Sequence, residues 1–197
     1  IFAFTAAPVT VFLSGIIGSQ FSPVKSLATL PMALSIVGIA IFAIFAAKVM
    51  SIIGRRAGFI FASIISSLSS LLAAYSIIIE SFILFNFACF LLGAGVAFSH
   101  QYRFAAVETV KKDMAPKAIS IILLAGIGSA FIGPNVANIT KDIIAEHLYA
   151  GSYIALAALT LTSIIFLLFY KDGHKPNRIN KKTSRSYLEL ISQPRFL

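Results

Sequence analysis

Long apolar blocks, separated by short polar connections, make up the chain from Ile1 to about Tyr170. An α-helix rises about 1.5 Å per residue, so about 20 apolar residues cross a hydrocarbon core about 30 Å thick. Six blocks reach that length, and we expect a spanning helix in each of 1–19, 27–52, 58–79, 82–108, 116–139 and 150–170. The pattern therefore predicts an all-α membrane protein with one six-helix bundle over residues 1–170.

Composition excludes a soluble domain and a nucleic-acid partner. Hydrophobic residues are 58% of the 197 residues and charged residues are 12%, whereas about a quarter of an ordinary soluble domain is charged. The mean hydropathy is +0.93. A net charge of +9 would suit a phosphate backbone. However, the basic residues lie between and after the apolar blocks and form no stripe, so we predict no nucleic-acid partner.

The chain offers no pattern typical of a metal, a cofactor or intramembrane catalysis. Its one cysteine, Cys89, lies within an apolar block, so no disulfide framework and no paired metal site is predicted. The three histidines, His100, His147 and His174, fall on different segments and form no metal site by local spacing. Every Asp and Glu lies at a helix end or in a connection. We therefore predict no cofactor, no metal and no enzyme activity, with the lipid bilayer as a partner.

Lysine and arginine lie almost entirely on one side of the predicted topology. If both ends are cytoplasmic, fourteen of the sixteen basic residues fall on that side, and only Lys25 and Lys141 fall outside it. Basic residues in short loops favour the cytoplasm, so we predict a multi-pass protein of the plasma (inner) membrane with both ends cytoplasmic. Residues 171–197 are interpreted as a basic cytoplasmic linker that approaches a seventh helix, and the chain as a fragment of a longer one.

The connection between the second and third predicted helices carries the first family motif. Its Gly54-Arg55-Arg56 resembles the end of the loop signature of the major facilitator superfamily, which runs roughly Gly-x-Leu-Ala-Asp-Arg-x-Gly-Arg-Arg. Glycine permits a sharp turn, and the arginines set the orientation and bind carbonyls at helix C-termini. Ser51 and Ile52 stand at the acidic and basic positions of the family motif, so the match covers only its end.

Glycines in the fourth predicted helix extend the resemblance. Gly93 and Gly95 resemble a small-residue stretch in the fourth helix of the same superfamily, where small residues let neighbouring backbones approach closely. In proton-coupled members an arginine stands four residues before the first glycine, and this chain has Cys89 there. Proton coupling through that arginine is therefore not expected.

The fifth predicted helix carries the third motif. Its Gly126, Gly128, Gly133 and Pro134 resemble the Gly-rich, Gly-Pro-containing signature of the superfamily's fifth helix, often found in antiporters. Pro134 removes one backbone hydrogen bond and can kink the helix. Glycine and proline are also common in membrane helices generally. The three partial motifs nevertheless fall in the family's order and on the expected helices.

The resemblance covers essentially all 197 residues, but only the amino-terminal half of a full transporter. It implies two three-helix repeats, half of a twelve-helix transporter, rocking against a second bundle around a solute site near the midplane. The implied partners are a small-molecule solute and the missing carboxy-terminal half of the same chain. H⁺ is a further candidate as the coupling ion, because histidine exchanges protons near neutral pH.

One face of the fourth predicted helix supplies the candidate solute ligands. Polar and small residues recur on it at three- or four-residue spacing, which places them on one side of a helix. Ionisable groups at membrane depth usually face a wet cavity or a partner. The set is Asn86, Cys89, Gly93, Val96, His100 and Arg103.

The resemblance also implies which of these residues contact the solute. In the family, helices one and four line the central cavity, so Asn86, His100 and Arg103 would face the solute, with Gln101 beside them. Two alternatives stay open for the charged residues. Arg103 can snorkel to the interface or pair with Glu108, and His100 can satisfy a neighbouring helix.

The sequence therefore predicts a secondary active transporter of a small solute that works by alternating access. A structural or accessory polytopic subunit and a homodimeric half-transporter are the competing hypotheses. A structural subunit needs no polar residues inside the bundle, so the orientation of the three polar side chains discriminates between these classes.

Overall fold

A computed structural model describes residues 1–170, and the predicted linker over 171–197 lies outside the described residues. Within residues 1–170 the chain is helical, joined by turns, and contains no strand. Seven α-helices follow one another: α1 Ala6–Phe21, α2 Leu30–Ile53, α3 Arg55–Ile78, α4 Phe82–Ser99, α5 Tyr102–Thr109, α6 Ala115–Ile139 and α7 Ala150–Leu168.

Six helical segments in residues 1–170 are long and apolar enough to cross a membrane. They are Phe2–Phe21, Lys25–Ile53, Arg55–Ile78, Phe82–Thr109, Lys112–Ile139 and Ala150–Leu168. Each overlaps one of the six predicted spans, in the same order. The all-α fold class with six spanning segments is therefore confirmed.

Two boundaries differ from the predictions at the end of the bundle that holds Gly54, which we call the basic end. The predicted continuous helix over 82–108 is two helices, because the chain turns at His100 and Gln101 between α4 and α5. The predicted Gly-Arg-Arg loop is a turn at Gly54 alone, with φ of 89°. Arg55 and Arg56 already belong to the first turn of α3. Glycine adopts that positive φ without steric strain, so one residue suffices to reverse the chain.

α4 is the central helix of the bundle, packed against α2 on one side and α3 on the other. A Cβ atom at Gly93 would collide with the backbone of Ser35 on α2, and one at Gly95 would collide with the side chain of Ser66 on α3. These two glycines lie on opposite sides of α4. Their lack of side chains therefore lets both neighbouring helices approach closely, which is how helices gain packing energy in lipid.

Serine fills much of the buried face of α3. Six of its serines are buried, and Ser63 shares a 2.8 Å hydrogen bond with Ser163 of α7. Such a hydroxyl bonds its own helix or the next one and leaves room for close contact, as small polar residues do in membrane bundles. α3 consequently packs against both α4 and α7.

Burial is uneven among the six spans. Only 17% of the apolar window of α2 and 11% of that of α6 is buried, against 44–67% for the other four. The exposed surface of α6 includes two polar side chains, Asn135 and Asn138. A polar side chain in contact with lipid is unfavourable, which distinguishes this face of α6 from the apolar surfaces of the bundle.

Candidate solute site

The turn after α4 and the short helix α5 carry the two basic side chains that the sequence predicts for the solute. The His100 N–H still donates to the Val96 carbonyl, at 3.1 Å, but Gln101 N donates to Phe98 O, at 3.0 Å, in a tighter turn. α5 then begins at Tyr102. His100 and Arg103 therefore project from a turn and a short helix rather than from one straight span.

His100 and Arg103 line a groove of about 230 Å³ between α1, the α4–α5 turn and α6. α1 and the residue stretch before it supply an apolar and aromatic wall, and α6 supplies small residues that keep the space open. No atom lies within 4 Å of where a Cβ at Gly126 would be. The lining residues are Phe4, Ala7, Pro8, His100, Arg103, Ile122, Leu123, Gly126, Ser129 and Ala130.

The polar groups in the groove are predominantly donors. Arg103 Nη2 lies 3.3 Å from His100 Nδ1. A guanidinium only donates, so Nδ1 is the acceptor, and the neutral ring then carries its proton on Nε2. The Ser129 hydroxyl is buried and donates its one proton to the Gly126 carbonyl, at 2.6 Å, so the donors that the groove offers are those of Arg103 and His100. The groove is consequently suited to a solute that brings hydrogen-bond acceptors.

The charge of Arg103 is not neutralised by an acidic partner among residues 1–170. The sequence left open that Arg103 pairs with Glu108, but Glu108 instead accepts two hydrogen bonds from Arg55, at 2.7 and 3.1 Å. Among residues 1–170, the pair of Arg55 and Glu108 is the only salt bridge. A guanidinium beside a groove and without an acid favours a ligand with negative charge or carbonyl oxygens.

Gln101 and Asn86 do not line this groove. The Gln101 Oε1 accepts from Arg55 Nη1, at 3.3 Å. Asn86 is buried and donates to the Phe82 carbonyl, at 2.7 Å. It precedes His100 by fourteen residues, which is about 21 Å along a helix. The predicted four-residue set is therefore split, and contact of Asn86 or Gln101 with the solute stays a prediction.

The six residues predicted on one face of the fourth helix are likewise divided. Gly93 faces α2, and Asn86, seven residues earlier, is on the same side by helical period. Cys89 lies beside Tyr153 of α7. The Oδ1 of Asn86 is buried without a hydrogen-bond partner among the described residues.

A second, apolar cavity of about 360 Å³ adjoins the groove and shares Phe4 and Ile122 with it. Tyr102 lies in its wall, and its ring stacks on Phe59 with centroids 3.9 Å apart. The Phe4 ring centroid lies 5.5 Å from that of Tyr102. The donor groups of the groove thus stand next to an aromatic, apolar region.

Comparison with known proteins identifies the family. The whole chain, residues 1–197, matches the family profile described as Major Facilitator Superfamily. The chain belongs to this superfamily. No solved structure matches the chain with significance.

Three curated relatives are transporters by name. The chain is 31% identical over 196 residues to the riboflavin transporter RfnT of Brucella anthropi, covering 98% of this chain and 49% of the relative. It is 28% identical to two uncharacterized MFS-type transporters of Bacillus subtilis, YdeG over 172 residues and YddS over 151 residues. It covers 40% of YdeG and 35% of YddS. The chain therefore spans about half the length of these superfamily members, or less.

Most of the superfamily motif residues of this chain pack against, or hydrogen-bond to, a neighbouring helix. Arg56, in the same turn as Arg55, donates to the Leu168 carbonyl at the end of α7, at 2.7 Å. Gly133 of α6 faces Pro8 and Val9 of α1. Pro134 lies within α6 without ending it. It cannot donate to the carbonyl four residues back, that of Ala130, which lines the groove.

Several residues of the groove were not predicted as solute ligands. Phe4 and Pro8 are four residues apart and so share a side of the first helix. The sequence around them is apolar throughout, so the pattern does not indicate which side faces the groove. Gly126 was recognised as part of the fifth-helix motif and Ser129 was not singled out. Gly126, Ser129 and Gly133 recur at helical spacing. That spacing could have indicated which side of α6 faces the groove.

Proposed function

We propose that this chain is one half of a secondary transporter that carries a small solute by alternating access, with the groove as part of the solute site. The observation that carries the proposal is Arg103, a guanidinium without an acidic partner among residues 1–170. It stands beside His100 in a groove within a membrane-spanning segment. Both residues lie near the basic end of that segment and are exposed. Ionisable groups that face a cavity in a membrane protein usually mark a substrate or ion pathway.

The solute class that fits the groove is a flat heteroaromatic molecule with acceptors on one edge. Arg103 and His100 offer hydrogen-bond donors, while Phe4 and the adjoining cavity beside Tyr102 offer aromatic and apolar surface. Guanidinium groups also stack on flat rings. Riboflavin has such a ring with carbonyl and nitrogen acceptors, and one relative is named a riboflavin transporter. Riboflavin is therefore the solute we propose first.

A second helical bundle completes the proposed transporter. α2 and α6 are the least buried spans, and α6 exposes Asn135 and Asn138. Relatives of about twice the length supply enough chain for a further bundle on these faces. This supports a single long chain over the homodimeric half-transporter.

We further propose the plasma membrane as the location, with the basic end facing the cytoplasm. Seven of the nine Lys and Arg residues among residues 1–170 lie at the basic end: Lys48, Arg55, Arg56, Arg103, Lys111, Lys112 and Lys117. Basic residues in short connections favour the cytoplasmic side. His100 is the residue in the groove that suits exchange of a coupling proton, because imidazole titrates near neutral pH.

The proposal is tested by reconstituting the full-length protein in liposomes and measuring flux of radiolabelled riboflavin. We expect saturable flux above that of protein-free liposomes, in uptake or in release from preloaded vesicles. Imposed pH gradients of both signs test the coupling proton. Saturable flux that does not depend on the pH gradient would contradict H⁺ as the coupling ion and would support the transporter function. Absence of saturable flux in both directions, with correctly folded protein, would remove riboflavin as the solute and favour a structural subunit.

A further inference from the structure

Arg55 is hydrogen-bonded to both ends of the short helix α5. Its Nε and Nη2 donate to the two carboxylate oxygens of Glu108, at 3.1 and 2.7 Å. Its Nη1 donates to Gln101 Oε1, at 3.3 Å. Gln101 immediately precedes α5, and Glu108 is in its last turn. One guanidinium on the first turn of α3 thus contacts the side chains of residues at both ends of α5.

α5 depends on such tertiary contacts for its position. It has eight residues, and isolated helices shorter than about 12–15 residues are marginal in water. Ala105 is its one buried residue, packed in an apolar cluster with Phe59, Phe98 and Leu167. Tyr102 adds the stacked contact with Phe59. α5 also packs against α6. Arg55 adds hydrogen bonds from α3 to these packing contacts.

Arg103 lies on α5 between the two residues that Arg55 holds. We propose that Arg55 is a positioning residue of the solute site, holding α5 against the bundle so that Arg103 stays at the groove. The inference rests on the proposed function for the role of Arg103, but the attachment of α5 is measurable without any solute. Arg55 itself does not line the groove.

The neighbouring arginine provides a matched control. Arg56 stands in the same turn and carries the same charge, but it donates to the Leu168 carbonyl at the end of α7. Replacing either arginine by glutamine removes one positive charge from the same end of the bundle. An effect on α5 from Arg55→Gln alone is therefore due to the contacts of Arg55 rather than to the local charge.

The geometry also predicts that lysine does not replace Arg55. A bidentate pair to a carboxylate needs the planar fork of a guanidinium, and a lysine ammonium is a point charge on a flexible stem. Arg55→Lys keeps the charge of the turn, yet it loses the simultaneous contact with Glu108 and Gln101. Glu108→Gln removes the same pair from the other side.

The test uses the full-length protein with a single reporter cysteine, introduced by Ala105→Cys, and no other cysteine. Ala105 is 2% exposed, so N-ethylmaleimide reaches the reporter thiol only when α5 leaves the bundle. We expect Arg55→Gln and Glu108→Gln to raise the alkylation rate about tenfold, because each loses charged hydrogen bonds. Arg55→Lys should also raise the rate above that of the parent. Arg56→Gln should leave the rate within about twofold of the parent.

A second reporter separates local from global loosening. Ala157→Cys, on α7, replaces a residue that is equally buried, at 3% exposed, and its alkylation should not respond to Arg55→Gln. The inference is overturned if the α5 reporter thiol reacts at the same rate with Arg55→Gln as with Arg56→Gln. It is also overturned if the α5 and α7 reporter thiols accelerate together, because Arg55 would then support the whole bundle and not α5.

Transport supplies the readout for Arg103. Where riboflavin is carried, Arg55→Gln should raise the KM for riboflavin severalfold in the parent protein. In a protein that already carries Arg103→Gln, the same change should leave KM unchanged, because Arg55 acts through Arg103. Equal increases in both backgrounds would overturn the action through Arg103. Failure of the riboflavin proposal leaves the alkylation results intact, and failure of the alkylation test leaves the transport results intact.

Discussion

Gly38 of α2 lies directly against Gly93 of α4, and no side chain separates the two helices there. A Cβ at Gly38 would collide with the Phe90 carbonyl, and a Cβ at Gly93 would collide with the Ser35 carbonyl. Backbone carbonyls cannot move aside as the end of a flexible side chain can. The packing of α2 on the central helix therefore depends on both positions remaining glycine.

Gly93→Ala should destabilise the protein although it adds only one methyl group. Overpacking of this kind typically costs about 1–3 kcal/mol, and we expect a lower Tm in detergent, measured by loss of helical circular dichroism or by thermal aggregation. Gly126→Ala is the control, because nothing lies within 4 Å of the added atom. Similar Tm values for the two variants would contradict the close α2–α4 contact.

Gly126→Leu should block the groove without unfolding the bundle. The added side chain would enter the open space that Gly126 borders, so we expect riboflavin flux to fall about tenfold or more while Tm changes little. Ala158→Leu adds a comparable side chain on the exposed surface of α7 and should leave flux unchanged. Normal flux through Gly126→Leu would place the solute path elsewhere.

Arg103→Gln should weaken solute binding more than it affects the fold. A hydrogen bond to a charged group contributes about 1.5–3 kcal/mol, so KM for riboflavin should rise by roughly tenfold to a hundredfold. Lys48→Gln serves as the control, because Lys48 is exposed at the same end of the bundle and does not line the groove. An unchanged KM in Arg103→Gln would remove the site assignment while leaving the family membership in place.

The hydrogen bond between Ser63 and Ser163 should contribute little to stability despite being buried. Interhelical hydrogen bonds in membrane proteins average about 0.6 kcal/mol, because the unfolded helices also find partners. A double-mutant cycle of Ser63→Ala and Ser163→Ala, followed by reversible unfolding in mixed micelles, should give a coupling free energy of that size. Thr162→Ala is the reference, since its hydroxyl bonds its own helix, to Ala158 O. A coupling above about 2 kcal/mol would show that α3 and α7 rely on this bond.

The number and order of the spans could be predicted because they depend on local composition. A segment of about 20 apolar residues must form its backbone hydrogen bonds internally in lipid, so it becomes a helix whatever its neighbours are. The ends of the spans depend also on the turns that join them. Arg55 joins α3 instead of a loop because Gly54 reverses the chain in one residue.

The burial of each helix face could not be predicted in the same way. α2 has few polar residues, and α6 has polar residues on both its buried and its exposed surface, so the helical period does not mark the side that packs. These two prove to be the least buried spans. α3 is easier to interpret afterwards, because its serines lie on the buried side. In lipid the small and polar residues, rather than the most hydrophobic ones, indicate the helix contacts.

The candidate site was predicted in part. His100 and Arg103 do meet at one groove, but the prediction joined them to Asn86 by assuming one straight helix. The turn at His100 and Gln101 breaks that face, and helix length alone separates Asn86 by about 21 Å. The sequence offered Glu108 as a partner for Arg103. Glu108 instead accepts hydrogen bonds from Arg55, 53 positions away in the chain.

The sequence by itself determined that the chain spans a membrane six times and which superfamily signatures it carries. Both follow from runs of neighbouring residues, which act through local hydrogen bonding and hydrophobicity. The tertiary structure alone decided which charges pair, where α4 ends and which side chains border the groove. Those features depend on contacts between residues far apart in the chain, such as Arg55 with Glu108 and Gly38 with Gly93. No local period encodes such contacts, because they exist only once the helices have packed.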